Sequence, residues 1–296
     1  MQADFDPYPA FDLLTPLSFA IIGQSTDRQV VASPGTGFFI APYIAITAKH
    51  VVDALWKELN LPWNQKYPTV PKKSDFFVKP MQLLDIRKTQ RDVVAVWEIT
   101  SVTPSNYTDA AFLFVVPDNE VARMLQWPRG FPELQLEPPD VGSEIFAFGY
   151  PSSKFIDFEP GHTRIDFGGT PTLVRGEVTA MHKNGRGSWR FPQFETTAEF
   201  EHGLSGSPIV HDKKVCGIVS YGTKTEDGAG ASYGASLWPL LLSEVSPSID
   251  PAARSTPVID LLKSGQLRAS GWKSLKERVT VVETDTGHPI AKLTCE

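Results

Sequence analysis

Apolar residues along this chain fall in short β-type runs, among them "SFAIIG", "GTGFFIA", "YIAITA", "VVAVWEIT", "AAFLFVV", "EIFAFGY", "TLVRGEVTAM", "SPIV", "VCGIVSYG" and "ASYGASLW". Gly, Pro, Asn and Asp clusters separate them, with 25 prolines marking the breaks, and helical periodicity is scarce. This pattern predicts an all-β barrel or sandwich. Residues 52–79 begin as a short helix and continue as a Pro- and Lys-rich loop, which reads as an insertion. The composition changes after about Ser246. "SPSIDPAARS" reads as a linker, "STPVIDLLKSGQL" as a helix with a Ser/Thr cap and Pro in its first turn, and "RVTVVETDTGHPIAKLTC" as a hairpin turning at Asp285, Thr286 and Gly287. The expected division is therefore a main domain over 1–245 and an appended helix and hairpin over 246–296.

The composition, 41 % hydrophobic and 21 % charged over 296 residues, is that of an ordinary globular protein. A net charge of −6 and a pI near 5.6 offer no electrostatic reason to bind nucleic acid or an anionic membrane. Two cysteines, Cys216 and Cys295, cannot make a disulfide framework, and Cys216 lies in an apolar run as a buried free thiol would. The N-terminus carries Asp where a signal peptide carries basic residues, and no apolar run reaches the ~18 residues of a membrane helix. These features lead us to expect a cytoplasmic location.

Residues 201–210, "EHGLSGSPIV", set Ser205 between small residues just ahead of an apolar strand. The segment is either a tight turn or a nucleophile held at a bend whose glycines let backbone N–H groups face a substrate. A serine nucleophile needs a histidine base, and that base needs a carboxylate to fix its tautomer. His162, His182 and His288 fall among loop-forming residues and His211 opens the polar turn "HDKK", so all four read as surface residues. His50 differs: the apolar hairpin "GTGFFIAPYIAITAKH" delivers it at a strand end, just before a helical turn. The acid should pass from a loop straight into a core strand. Asp109 in "SNYTDAAFLFVV" does so better than Asp85 or Asp92.

These segments resemble those of trypsin-like (chymotrypsin-fold) serine proteases, nearest to the bacterial high-temperature-requirement type. "GTGFFIAPYIAITAKHVV" is similar to the family's G-x-G-F segment leading to T-A-x-H, "TDAAFLFV" to D-I-A-L-L-x-V, and "HGLSGSPIV" to G-N-S-G-G-P. "DVGSEIFAFGYP" and "CGIVSYG" match two further strands, so the likeness covers roughly residues 17–243. The order His50, Asp109, Ser205 is the family's, whereas an α/β-hydrolase runs Ser, acid, His and follows its serine with a helix. The resemblance implies two antiparallel β-barrels, about 17–125 and 135–245, and an endopeptidase acting on polypeptides through an acyl-enzyme, without metal or cofactor. It further implies an oxyanion hole from the N–H groups of Gly203 and Ser205, and pairing of substrate with Ser220, Tyr221 and Gly222. Glu199, six residues before Ser205, either floors the first specificity pocket as a buried carboxylate selecting Lys or Arg, or faces solvent. In the second case the pocket is lined by residues 232–237, with room at Ala235 and Ser236. His202 is a further candidate for substrate contact. Two departures stand out. Leu204 replaces the aspartate that pairs with a new N-terminus in secreted digestive members, leaving regulation to loop rearrangement, a partner protein or the tail. Ser207 replaces a glycine and could strain the bend, which keeps open an inactive module that binds peptides or scaffolds a complex.

Overall fold

The computed structural model describes residues 17–24, 30–58, 81–86, 94–124, 130–151, 154–157, 166–168, 171–223, 230–246, 255–283 and 289–294. Six antiparallel strands, β1 (Ser18–Gln24), β2 (Val30–Ala41), β3 (Ile44–Thr47), β4 (Met81–Ile86), β5 (Val94–Pro104) and β6 (Ala111–Pro117), close into a barrel in the order β1-β2-β3-β6-β5-β4. Closure comes from β4 pairing with β1, so this sheet has no free edge. Its interior is filled by Phe19, Phe39 and Trp97, whose rings meet edge to face at centroid distances of 4.9 and 5.3 Å.

After β7 (Leu134–Gln135) and β8 (Glu144–Gly149) comes a small ribbon, β9 (Lys154–Asp157) with β10 (Asp166–Gly168). Next are β11 (Thr172–His182), β12 (Gln193–Thr196), β13 (Pro208–His211), β14 (Lys214–Thr223) and β15 (Ala231–Ser236). Strands β13-β8-β11-β12-β15-β14 pair in that order, and a further β13–β14 pairing curls the sheet back on itself. Its interior cluster includes Ile145, Val178, Phe194, Leu204, Ile209 and Cys216. Burial pushes the Cys216 thiol well above its ordinary pKa, as expected of an inert core thiol. The result is the expected double barrel.

The tail joins this body. β16 (Glu244–Val245) pairs with β17 (Thr256–Pro257), and β18 (Ala269–Ser270) runs parallel to β7 at the edge of the second sheet. β19 (Val279–Glu283) and β20 (Pro289–Leu293) form the expected hairpin, with its turn outside the described residues. Val258, Leu261, Leu262, Leu267, Leu275 and Ala291 enter one buried cluster that also holds Phe39 and Trp97 of the first barrel and Val215 of the second sheet. Composition suggested an appendage; burial of these six side chains makes the segment part of the main core. The helix over "STPVIDLLKSGQL" is shorter than expected, Val258–Lys263. Pro257 occupies the cap position and no side chain caps it, because Thr256 and Pro257 are drawn into the strand pairing.

Candidate active site

His50 sits where β3 gives way to the helix Lys49–Glu58. Val51, Val52, Leu55 and Trp56 bury one face of that helix against the barrel, while Asp53 and Lys57 lie outside, so its first turn is fixed over the barrel mouth. Asp109 enters from the loop between β5 and β6, a turn closed by Ser105 N–H to the Ala110 carbonyl and Ala110 N–H to the Thr108 carbonyl. It is 4 % exposed.

The two groups are joined twice. The backbone N–H of His50 donates to Asp109 Oδ1 at 3.0 Å, and His50 Nδ1 lies 2.7 Å from Asp109 Oδ2. An ionised carboxylate only accepts, so Nδ1 carries the proton and Nε2 of the neutral ring is left as an acceptor. Burial by itself lowers the His50 pKa, but the hydrogen bond and charge of Asp109, helped by the charge of Asp53, more than offset it and hold the imidazole above 6.5. Asp109 moves the opposite way. Burial raises its pKa, yet the His50 hydrogen bond and charge, the Ser220 hydroxyl and the His50 N–H together take it below 3.8.

Ser220, whose main chain the resemblance assigns to substrate pairing, turns its fully buried hydroxyl onto Asp109 Oδ2. The register of β14 against β15 slips between Val219 and Tyr221, which re-aims this side chain inward. The Ser220 carbonyl in turn accepts from Ser205 Oγ at 3.2 Å. One residue therefore bridges the acid and the candidate nucleophile, and no hydrogen bond yet joins Ser205 Oγ to His50.

The Ser205 turn is sewn to the first barrel through Thr36 of β2. Thr36 N–H donates to the Ser205 carbonyl at 2.8 Å and Thr36 Oγ1 to the Gly203 carbonyl at 2.9 Å. Gly203 and Gly206 adopt φ of +95° and +86°, conformations that favour glycine. At Gly206 a side chain would also collide with the Thr36 carbonyl and the Thr47 hydroxyl. Among the described residues the N–H groups of Gly203 and Ser205 have no acceptor. Leu204, fully buried in the second cluster, anchors the turn by apolar packing. Ser207 keeps a negative φ, and its hydroxyl fits because Gly149 stands opposite, so the expected strain is absent at that residue.

The specificity expectations fare differently. Glu199 is exposed, which excludes a buried carboxylate floor: Ala198 takes the buried position after β12, so Thr197 and Glu199 turn outward. Ala235 and Ser236 are fully buried within β15, Ala235 paired with Gln193 and Ser236 with Gly217. His202 is exposed as well. Residues 221–223 pair with β15, and among the described residues their other edge is unpaired. Over that edge lies Trp189, from the β11–β12 loop. Its ring stacks on Tyr221 at 4.7 Å, Tyr221 stacks on Tyr233 at 4.6 Å, and Trp189 stands 6.5 Å from the His50 ring. His182 is not a loop residue; it ends β11 and faces Glu195 at 3.3 Å. His211 Nδ1 meets the Glu144 carbonyl at 2.9 Å. His162, His288, Asp92 and Cys295 lie outside the described residues, and Asp85 falls within β4.

Sequence reasoning missed the inward role of Ser220, the Thr36 clasp and Trp189. A serine in an apolar run and a lone tryptophan in a polar loop carry no distinguishing signal.

Residues 35–218 match the family model for the trypsin-like peptidase domain. Among solved structures, the chain is similar to the active form of the Rv3671c protease from M. tuberculosis (18 % identity, 77 % of this chain, 79 % of that chain, TM-score 0.46). The MamO protease domain from Magnetospirillum magneticum is also similar (14 %, 76 % and 93 %, 0.45), as is human heparin binding protein (16 %, 75 % and 86 %, 0.47). No relative among curated proteins matches.

Proposed function

Because this chain belongs to the trypsin-like peptidase family, we propose that it is a serine endopeptidase that cuts polypeptides through an acyl-enzyme on Ser205. The observation that carries this reading is the hydrogen-bonded series from His50 to Asp109 to Ser220 to Ser205, which ends beside two N–H groups that have no acceptor among the described residues. Rotation about the Ser205 Cα–Cβ bond releases the hydroxyl from the Ser220 carbonyl toward His50 Nε2. His50 takes the proton as Oγ attacks the scissile carbonyl. Asp109 stabilises the imidazolium, and the N–H groups of Gly203 and Ser205 receive the oxyanion. The C–N bond then breaks, the leaving amine takes the proton from Nε2, and water, deprotonated by the same nitrogen, hydrolyses the ester. An extended substrate fits the unpaired edge at Tyr221 and Gly222, where it adds as a strand.

A second reading has one observation in its favour: the Ser205 hydroxyl is bonded to a carbonyl and not to His50, as in a module that binds peptides without cutting them. A fluorophosphonate probe separates the two. The protease reading requires labelling of the wild type and none of Ser205→Ala, with peptide cleavage lost in parallel. A wild type that neither labels nor cleaves leaves the binding module.

A further inference from the structure

The family match ends at residue 218, yet the C-terminal hairpin reaches the site. A cavity of about 560 Å³ is walled by His50, Tyr107, Trp189 and Phe191 from the two barrels and by Pro289 and Ile290 of β20. The hairpin is held there: Ala291 is buried in the core, Val279 and Leu293 pack on the same cluster, and Thr294 N–H donates to the Arg278 carbonyl.

We propose that β20 is a wall of the substrate site, and that this cavity receives a large apolar side chain, aromatic or branched aliphatic, from the acyl side of the scissile bond. The inference rests on the protease reading above. The acyl side follows from the layout. The Ser220 carbonyl marks where the Ser205 hydroxyl lies, and a chain laid on the edge at Tyr221 and Gly222 runs from there beneath Trp189. The leaving amine must stay at His50 Nε2 to collect its proton, so the part beside Tyr221 is the acyl part. Side chains on that part face the space between His50 and Trp189, which opens into the cavity. The apolar preference follows from the walls, since Tyr107, Trp189, Phe191, Pro289 and Ile290 present rings and hydrocarbon. The charged groups at the rim, Lys49 and Asp53, are one helical turn apart and oppose each other, and Arg190 is exposed. The volume falls in the range of ligand sites, enough for a large side chain with its flanking backbone.

The test uses the full chain and fluorescein-labelled capped hexapeptides, in which one position is fixed as Phe, Leu or Gly and the others are equimolar mixtures. Binding is read by anisotropy on Ser205→Ala protein, and cleavage on protein with Ser205 intact. At one acyl-side position Phe or Leu should exceed Gly by about tenfold in both readouts. Ile290→Glu should reduce that ratio to near one, and Ile290→Phe, which narrows the cavity, should shift it from Phe toward Leu. Val281→Glu, on the exposed part of the same hairpin, should keep the ratio. If the ratio is one in the unmodified site, or survives both Ile290 substitutions, the inference is overturned. If the ratio in binding responds to Ile290 while no cleavage or labelling of Ser205 occurs, the cavity stands and the protease reading falls.

Discussion

Gly149, at the end of β8, is the point where the second sheet presses on the nucleophile turn, and replacing it with alanine tests how that turn is held. A Cβ at residue 149 would lie 2.0 Å from Ser207 Oγ, 2.7 Å from Thr36 Oγ1 and 3.2 Å from Leu204 Cδ2. All three neighbours are fully buried. They differ in what they lose by moving. Among the described residues Ser207 Oγ has no hydrogen-bond partner, so its rotation breaks nothing. Thr36 Oγ1 donates to the Gly203 carbonyl and accepts from Tyr150 N–H, so displacing it breaks two bonds and loosens the turn. Overpacking costs about 1–3 kcal/mol and each of the two lost hydrogen bonds about 1 kcal/mol, so Gly149→Ala should destabilise by about 3–5 kcal/mol. Ser207→Gly removes the 2.0 Å obstacle and an unpaired buried hydroxyl, at an entropic cost of about 0.5–1 kcal/mol for the new glycine, and should be close to neutral. In the double mutant the Thr36 contact remains, so rescue should be partial, with a coupling of about 1–2 kcal/mol. Urea unfolding of the four proteins measures the cycle, and the rate of Ser205 labelling by a fluorophosphonate shows whether loss of the Thr36 clasp reaches the nucleophile. A cost for Gly149→Ala below about 0.5 kcal/mol, or one equal in both backgrounds, refutes this account of the packing.

Ser205→Ala and His50→Ala should each lower peptide cleavage by about 10⁴-fold or more; Ser205→Ala should leave the melting temperature close to wild type, whereas His50→Ala should lower it because the buried Asp109 carboxylate loses its partner; steady-state turnover and calorimetry check both parts. Asp109→Asn should reduce turnover nearly as far, since an amide no longer fixes the proton on Nδ1. The rise of kcat/KM with pH should have its midpoint above 6.5, because Asp109 raises the His50 pKa and only the neutral ring is a base; Asp109→Asn should move the midpoint of its residual activity downward. For stability the signs oppose. The raised His50 contributes below pH 6.5 and loses its contribution as pH rises through its folded value, whereas the lowered Asp109 contributes above pH 3.8 and loses its contribution as pH falls through its folded value. Leu204→Asp should destabilise by about 3–5 kcal/mol in urea, since it places an unpaired charge among Phe194, Ile209 and Val219.

The parts of the site that could be read from the sequence are those in which backbone pattern and chemistry coincide. His50 and Asp109 each stand where an apolar strand meets a loop, and the alternation in "GTGFFIAPYIAITA" and "AAFLFVV" places those junctions at one mouth of one barrel. The glycines around Ser205 advertise positive φ, and both Gly203 and Gly206 adopt it. Where a side chain points could not be read so easily. The position of Glu199, six residues before Ser205, says nothing of whether β12 still alternates there, and burial of Ala198 decides that it faces outward. Ser220 occupies a run whose pattern predicts a plain buried strand residue, and only the register slip beside it turns the hydroxyl to Asp109. The cavity beside His50 is built from four stretches, 49–53, 105–109, 188–191 and 289–290, which share no local pattern at all.

The departure at Leu204 matters most for how activity can be controlled. A buried aspartate at this position is stable only when a cation reaches it, which makes a turn of that kind dependent on a new N-terminus. Leucine needs no partner: its burial against Phe194 and Ile209 favours the turn as soon as the second sheet forms. The first barrel then completes the hold through the two Thr36 bonds, to the Ser205 and Gly203 carbonyls. With both carbonyls engaged by Thr36, the N–H groups of Gly203 and Ser205 are left without an acceptor among the described residues. The remaining element that separates this arrangement from one ready to react is the Ser205 hydroxyl, held 3.2 Å from the Ser220 carbonyl by a single neutral hydrogen bond. Such a bond contributes about 1 kcal/mol. On the protease reading proposed above, substrate binding that displaces the hydroxyl from this carbonyl would turn it toward His50, and access to the edge beneath Trp189 would be the point of control.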